Sequence, residues 1–568
     1  MSSLDWIILI STLSLIVFYG IYKSRGQKDL AGYFLGDNSL SWYKVMFSVM
    51  ATQASAITFL SAPGLAFTDG MRFVQYYFGL PLAIIVVTAV LVPVYHRLKV
   101  MTAYQFLEQR FDVNVRVFTA FLFLLQRGLA AGLTIYAPSL VMSTLLGWNI
   151  YLTCGIMGLL VVVYTLSGGA KAVAYTQLQQ MLVILGGMFF AGVMVFKLMP
   201  PDIGFVDTLH IAGKTGRLNA FVTTFEWDDK YNVWSGVLGG FFLALSYFGT
   251  DQSQVGRYLA AKSIKQSTMG LLMNAIVKIP MQFGILFIGI ALYVFYVFNP
   301  QPMVFNNTLI DKVKQSAYAN EYAQNEAEFE TLSQTHKGLA RDLLEAHKNE
   351  NELQVNQIGK SLIAIEKEKQ VWRDSSKSLI KMADPTADTN DVNYIFLYFV
   401  LDYLPIGFIG LLIAVIFSAS WSSTSSELNA LSSTLVIDFY KRLYKPNANE
   451  SHYVKVSKWA TAFWGLMAVL FAFLATKLDS LIEAVNLLGS LFYGTILGVF
   501  VVAFVGKNLL PKAVLFAAIL SEVLVIVLFK YDAVAFLWLN MIGCFFVVIL
   551  AFAFHFLLKN IHHKAVDI

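Results

Sequence analysis

Long apolar runs constrain this 568-residue chain more than any other feature. A bilayer core of roughly 30 Å takes about 20 apolar residues of helix, and the backbone inside it must close its own hydrogen bonds. On that scale the chain holds about thirteen candidate spans. They fall near 4–22, 41–67, 73–96, 115–145, 150–166, 174–198, 233–252, 268–298, 400–438, 452–475, 480–505, 512–530 and 533–558. The expected fold class is therefore all-α, a polytopic membrane protein. Composition agrees, with 14% charged residues against about 25% in soluble domains. The run from Trp6 to Tyr19 has no basic segment before it and no small-residue cleavage motif after it. It reads as a first span, not a signal peptide.

Charge is unevenly spread along the chain. Residues 311–391 hold 11 Lys/Arg and 15 Asp/Glu, a net of −4, while the remainder carries +9. The short loops alternate in basic content. His96-Arg97-Leu98-Lys99, Arg257 with Lys262 and Lys265, Lys441-Arg442 with Lys445, Lys455 and Lys458, Lys507 with Lys512, and the tail with Lys559 and Lys564 fall on one side. Loops near Gly147, Leu478 and Tyr531 on the other side are poorer in Lys and Arg. The positive-inside rule then places the N-terminus outside and the C-terminus in the cytoplasm of a plasma membrane, of bacterial inner-membrane type. Parity puts the polar block outside. The basic excess is too mild for a nucleic-acid binder. Cys154 and Cys544 both lie in apolar runs and make neither a disulfide framework nor a metal cluster.

Two spans are not uniformly apolar. The second reads Ser48-Val-Met-Ala51-Thr-Gln-Ala54-Ser-Ala-Ile-Thr58-Phe-Leu-Ser-Ala-Pro63-Gly64. The seventh carries Gly239-Gly240 and then Ser246-Tyr247-Phe248-Gly249-Thr250-Asp251-Gln252. Interrupted helices at corresponding places in two halves point to an inverted-repeat carrier, here a 5+5 repeat with two broken helices. An unwound backbone frees carbonyls that a bound cation can satisfy. Close helix packing through small residues is the competing explanation. A third signal is Ser418-Ala419-Ser420-Trp421-Ser422-Ser423-Thr424-Ser425-Ser426-Glu427. On a helix Ala419, Ser422, Ser423 and Ser426 share one face. Hydroxyl oxygens suit a small hard cation such as Na⁺, although small-residue packing again competes.

Three longer motifs extend these signals: Gly249-Thr-Asp251-Gln252-Ser-Gln-Val-Gly-Arg257-Tyr258-Leu-Ala-Ala-Lys262-Ser263, Ser432-Ser-Thr-Leu-Val-Ile-Asp438-Phe-Tyr440, and Thr102-Ala-Tyr104-Gln-Phe-Leu-Glu108-Gln-Arg110-Phe111. With them the chain resembles the sodium/solute symporter family, whose members have the leucine-transporter-type fold. The resemblance covers nearly everything outside the polar block. It implies Na⁺ between the first broken helix and the serine-rich helix, on the carbonyls of Ala51, Ala54 and Ala419 and the hydroxyls of Ser422 and Ser423. Some members bind a second Na⁺. The hydroxyls for it are present here as Ser425 and Ser426, but Gln177 replaces the expected Asp, and Glu427 is the residue able to supply the missing charge.

The resemblance also implies a substrate site. Where galactose-transporting relatives hold sugar with Gln, Glu and Asn, this chain has Thr58, Tyr77 and Ala244. Tyr247 matches an aromatic gate, and Lys278 matches a Lys that touches substrate. An intramembrane Lys is costly unless it is paired or faces a cavity, so a structural role competes. The expected activity is sodium-coupled import of a small organic solute, a monocarboxylate, vitamin-like molecule or other organic anion. A sodium/sugar symporter is the alternative, and a sodium-binding sensor or channel is the alternative of another class. An enzyme is not expected, since only His555 of the eight His lies clearly within a span, near its cytoplasmic end, and no H-E-x-x-H motif occurs. Arg127 is read as a structural charge, and Glu483 and Asn486 as part of an outer gate.

The expected segments are 1–40 (first span and cytoplasmic linker), 41–230 (first half), 231–306 (start of the second half), 307–392 (polar helical insertion), 393–510 (rest of the second half) and 511–568 (accessory helices and tail). Within the insertion, Ile358, Leu362, Ile365 and Trp372 recur at helical spacing, as do Leu339, Leu343 and Ala346. Breaks are expected at Gly338, Asn349-Glu350-Asn351 and Asp384-Pro385. The expectation is a helical hairpin over the outer mouth that docks an unknown partner, shields the vestibule or is inert. Asn306-Asn-Thr308 fits a glycosylation sequon.

Overall fold

A computed structural model describes residues 1–23, 29–385, 387, 389–475, 481–506 and 508–566. Lys507 and the loop near Leu478 lie outside the described residues, as does the side chain of Lys564. The regular secondary structure of the described residues is helical, with one isolated bridge between Leu40 and Ala261. Among them, ten helices are long and apolar enough to cross a membrane. The runs expected near 150–166 and 233–252 form the shorter apolar helices Ile150–Leu166 and Ser235–Gly249.

Both helix breaks exist, but they lie away from the Gly and Pro pairs that pointed to them. Trp42–Gln53 ends at Ala54 (φ −85°, ψ 69°) and Ala56–Asp69 starts after the extended Ser55. The second helix then runs straight through Pro63. Gly64 serves a contact instead: a Cβ there would sit 2.0 Å from the carbonyl oxygen of Val392. A Cβ on Gly289 would sit 2.1 Å from that of Pro63. In the seventh span the break falls at Thr250-Asp251, between Gly240–Gly249 and Gln252–Leu259. Gly239 and Gly240 stay helical and press on the carbonyls of Leu537 and Tyr76. Small residues thus allow backbones to approach, while the polar residues mark where the helices open.

The run expected over 400–438 is also divided. Val392–Tyr403 stands apart from Phe408–Thr434. Pro405 forces the preceding Leu404 out of helical geometry (ψ 146°), and Gly407 takes a positive φ of 93°. Asp5 fastens this corner, accepting from the amides of Gly407 and Gly410 at 2.7 and 3.1 Å.

The polar insertion folds as Asn307–Lys314, Ala319–Lys348 and Glu352–Ala383, with the two long helices packed as a hairpin. The turn is at Asn349-Glu350-Asn351, whereas Gly338 lies inside a helix. Leu343, Ala346, Ile358 and Leu362 are buried; Leu339, Ile365 and Trp372 are half-buried. The Asn306 amide oxygen caps the first short helix, accepting from the Thr308 amide at 3.2 Å, and the residue is buried. It is not displayed as a glycan acceptor.

Ion pairs bind this cap to the body. Arg217 meets Glu366 through two hydrogen bonds of 2.6 and 2.7 Å and lies 3.5 Å from the centre of the Tyr293 ring. Buried Asp391 faces Arg373 and Lys377 at 2.7 and 2.8 Å. Burial alone would raise its carboxyl pKa, but the two cations and the Phe305 amide outweigh burial and hold it below the ordinary range.

His336 is the weak point of the cap. It is 1% exposed, and neither ring nitrogen has a hydrogen-bond partner. Burial, helped by Lys369 and Arg217, pushes it down to about 3. An unfolded His binds its proton near pH 6.5. Docked-cap stability should therefore be complete above about pH 6.5 and fall by about 1.4 kcal/mol per pH unit below it, until the native group itself titrates. Hydrogen exchange of the hairpin at pH 7 and pH 5 should show this loss, and His336→Phe should abolish it. Equal acid loss in both proteins would remove His336 as the cause.

Candidate ion and solute site

The serine-rich helix, Phe408–Thr434, packs along both arms of the first broken helix. Ala51, Ala54, Ala419, Ser422 and Ser423 are all fully buried. The Ser422 hydroxyl donates to the Ala51 carbonyl at 3.0 Å, and the Ser423 hydroxyl donates to the Ala419 carbonyl at 3.1 Å. Ala54 sits at the break, where its ψ of 69° takes its carbonyl out of helical alignment. The neighbourhood is rich in neutral oxygens, a donor set suited to a hard monovalent cation.

The residues considered for a second ion divide into two groups. The Gln177 amide nitrogen donates to Ser426 Oγ at 2.7 Å and to the Ser422 carbonyl at 3.1 Å, and its oxygen accepts from Ser48. Ser425 turns its hydroxyl to the Ser422 carbonyl at 3.1 Å. Glu427 is directed elsewhere, pairing with Arg127 at 3.1 Å and accepting from Thr134 at 2.9 Å. Thr52, which donates to Ser426 at 3.0 Å, and Ser48 complete the Gln177 group. Their place in the hydroxyl-rich stretch of the second span was the signal for them.

A cavity of about 120 Å³ lies against the break and gathers Thr58, Tyr77, Ala244, Tyr247, Lys278 and Asn486 on its wall. Gln53, Gln126, Arg127, Glu427 and Tyr493 also line it. Glu483 does not. It accepts from Lys230 and the Tyr231 hydroxyl at 3.0 and 3.1 Å, next to the Arg72–Asp229 pair at 2.6 Å.

The two cations on the wall differ in their surroundings. Arg127 pairs with both Asp251 and Glu427 and also contacts the Tyr493 hydroxyl. Tyr493 in turn donates to Asp251 at 2.7 Å. Asp251 caps the second half of the other broken helix, accepting from the Ser253 amide at 2.8 Å. Asp251 and Tyr493 were not singled out from sequence, although Asp251 stands in the longest motif. Lys278 is 2% exposed and has a Tyr77 ring at 5.7 Å. It has no ion pair among the described residues.

Paired helix breaks beside a buried oxygen cluster and a polar cavity define a helical membrane carrier. The family model "Sodium:solute symporter family" matches residues 33–323 and 380–520, and the chain belongs to that family. The match leaves out residues 324–379, nearly all of the cap hairpin. Family members are sodium-coupled transporters, not enzymes. The human sodium/iodide cotransporter is 30% identical over 274 residues, 48% of this chain and 42% of that protein, so this match spans under half of the relative's length. The sodium/sialic acid symporter SiaT of Proteus mirabilis is 26% identical over 560 residues, 96% of this chain and 93% of that protein. A solved substrate-bound, outward-open Na⁺-coupled sialic acid symporter has the same fold, with a TM-score of 0.74 at 23% identity over 97% of each chain.

The contrast between the two cations is measurable. Arg127→Met strands two buried carboxylates and should cost about 3–5 kcal/mol, seen as a large fall in Tm of the purified protein. Lys278→Met removes an uncompensated charge and should leave Tm unchanged or raise it. The opposite order would reverse the two assignments.

Proposed function

We propose that the chain imports a small organic anion together with Na⁺ by alternating access. The observation that carries this reading is Lys278, a buried cation on the cavity wall that has no ion pair among the described residues, the wall's one carboxylate, Glu427, being paired with Arg127. A charge at such depth costs about 3 kcal/mol or more, and the anionic group of a solute removes that cost. Two relatives named for iodide and sialic acid take anions, in keeping with this chemistry. The aromatic wall of Tyr77 and Tyr247 and the amides of Gln53, Gln126 and Asn486 leave room for hydroxyl-bearing carboxylates. A neutral sugar is less well served, because Thr58, Tyr77 and Ala244 offer few partners to a ring of hydroxyls.

In this reading Na⁺ sits on Ala51, Ala54, Ala419, Ser422 and Ser423, and Tyr247 and Asn486 close over the solute. Gln177, Ser425 and Ser426 form a neutral hydrogen-bonded brace, and Glu427 belongs to Arg127. The chain crosses the plasma membrane about thirteen times as a 5+5 inverted repeat with accessory helices. Its N-terminus and cap are outside and its C-terminus is in the cytoplasm.

Uptake into proteoliposomes under an inward Na⁺ gradient, tested with sialic acid and short monocarboxylates, checks the proposal. Accumulation is expected only with the gradient, and binding without accumulation would leave a sensor. Ser422→Ala with Ser423→Ala should raise the Na⁺ concentration for half-maximal uptake, and unchanged Na⁺ dependence would displace the ion from this place. Lys278→Gln should weaken carboxylate binding by about 1.5–3 kcal/mol, roughly 10–150-fold, while sparing the methyl ester of the same solute.

A further inference from the structure

The end of the serine-rich helix, Leu435–Tyr444, and the following helix, Glu450–Ala472, enclose a second groove of about 500 Å³. Its floor includes Val436 and Ala460, which are buried, and its rim includes Tyr444 and Trp459, each 78% exposed. The lining is almost wholly apolar, and only the phenol and indole tips of the aromatics bring polar atoms to it.

Basic residues cluster at this end of the two helices. Lys445 follows Tyr444, and Lys455 lies one turn before Trp459, beside it on the helix surface. Neither has a carboxylate partner among the described residues. The acids nearby are held by other cations: Glu450 by Lys441 at 3.4 Å, and Glu108 by Arg116 and Arg442, each at 2.6 Å. An apolar concavity of acyl-chain size therefore ends in unpaired positive charge, with aromatic residues of the kind that mark a membrane interface at the junction.

We propose that this groove binds one anionic glycerophospholipid of the leaflet these loops face. One acyl chain lies between the two helices, and the phosphate sits between Lys445 and Lys455. An ordinary lipid-facing helix surface is convex and indifferent to head group, whereas here shape and charge select together. A basic pocket between transmembrane helices is the arrangement that captures anionic head groups. The groove wall continues the helix that carries Ser422 and Ser423, so the lipid braces the ion-site helix from outside the solute path. The assignment is independent of which solute is carried.

The test uses the full-length protein in detergent–lipid micelles, with lipids brominated on one acyl chain as the quencher. Subtracting Trp459→Phe isolates Trp459 from the other tryptophans. Brominated phosphatidylglycerol should quench Trp459 at a much lower mole fraction than brominated phosphatidylcholine. Lys445→Gln with Lys455→Gln should raise the half-quenching fraction for phosphatidylglycerol roughly 30-fold and erase the preference. Both lysines are exposed, so the fold should survive, which a melting curve checks. Equal quenching by the two lipids, or a preference that survives the double substitution, would overturn the proposal.

Discussion

Arg127 holds the centre of this molecule together. Its guanidinium meets Asp251 at the break of one helix and Glu427 on the serine-rich helix, while Tyr493 bridges to Asp251 from a third. In hydrocarbon an unpaired charge is costly, so each partner requires the others. The planar fork of arginine suits this role better than an ammonium group, because its nitrogens reach separate carboxylates. Asp251 also caps the helix beyond the break. The opened backbone at Thr250-Asp251 and the ion-pair cluster are thus one construction: the break supplies the acid, and the acid fixes the arginine.

The first break is supported differently. The hydrogen bonds about it join hydroxyls, amides and carbonyls: Ser422 on the Ala51 carbonyl, and Thr52 and Gln177 on Ser426. Neutral groups can exchange partners at small electrostatic cost, which suits the ion site proposed here. The fold thus has a charged, fixed break and a neutral, adaptable one, both packed against the same serine-rich helix.

Much of this was legible in the sequence, and the failures have physical causes. Apolar runs located the helices, because span length in a bilayer is set by thickness alone. Helix breaks were legible in region but not in position. Glycine and proline were taken as breakers, yet Gly64, Gly239 and Gly240 serve contacts with distant carbonyls. Such contacts depend on neighbours hundreds of residues away in the chain. The wall residues Thr58, Tyr77, Ala244, Tyr247 and Lys278 meet in one cavity as expected. The pairing of Glu427 with Arg127 was not legible, because helical spacing gives the face but not the partner, and Arg127 lies 300 residues away. The cap hairpin was readable from its periodicity, but its anchor was not. The Arg217–Glu366 pair joins two segments whose meeting only the tertiary fold decides.

On the proposed assignment, charge bookkeeping connects ion and solute. Arg127 with Asp251 and Glu427 leaves one net negative charge, and Lys278 stands apart as one positive charge. A cation on neutral oxygens raises the potential in the adjoining cavity, and at low effective dielectric that potential carries over several ångströms. An anion entering beside Lys278 is attracted by Lys278 and by the ion and repelled by the net negative charge of the Arg127 cluster; only the ion's contribution changes when Na⁺ binds, so each ligand raises the affinity for the other by the same factor. A neutral solute would gain nothing from the ion in this way and would need a shape change to be coupled to it. The neutrality of the first break and the isolation of Lys278 therefore make one argument: coupling here is electrostatic, and it works for an anion.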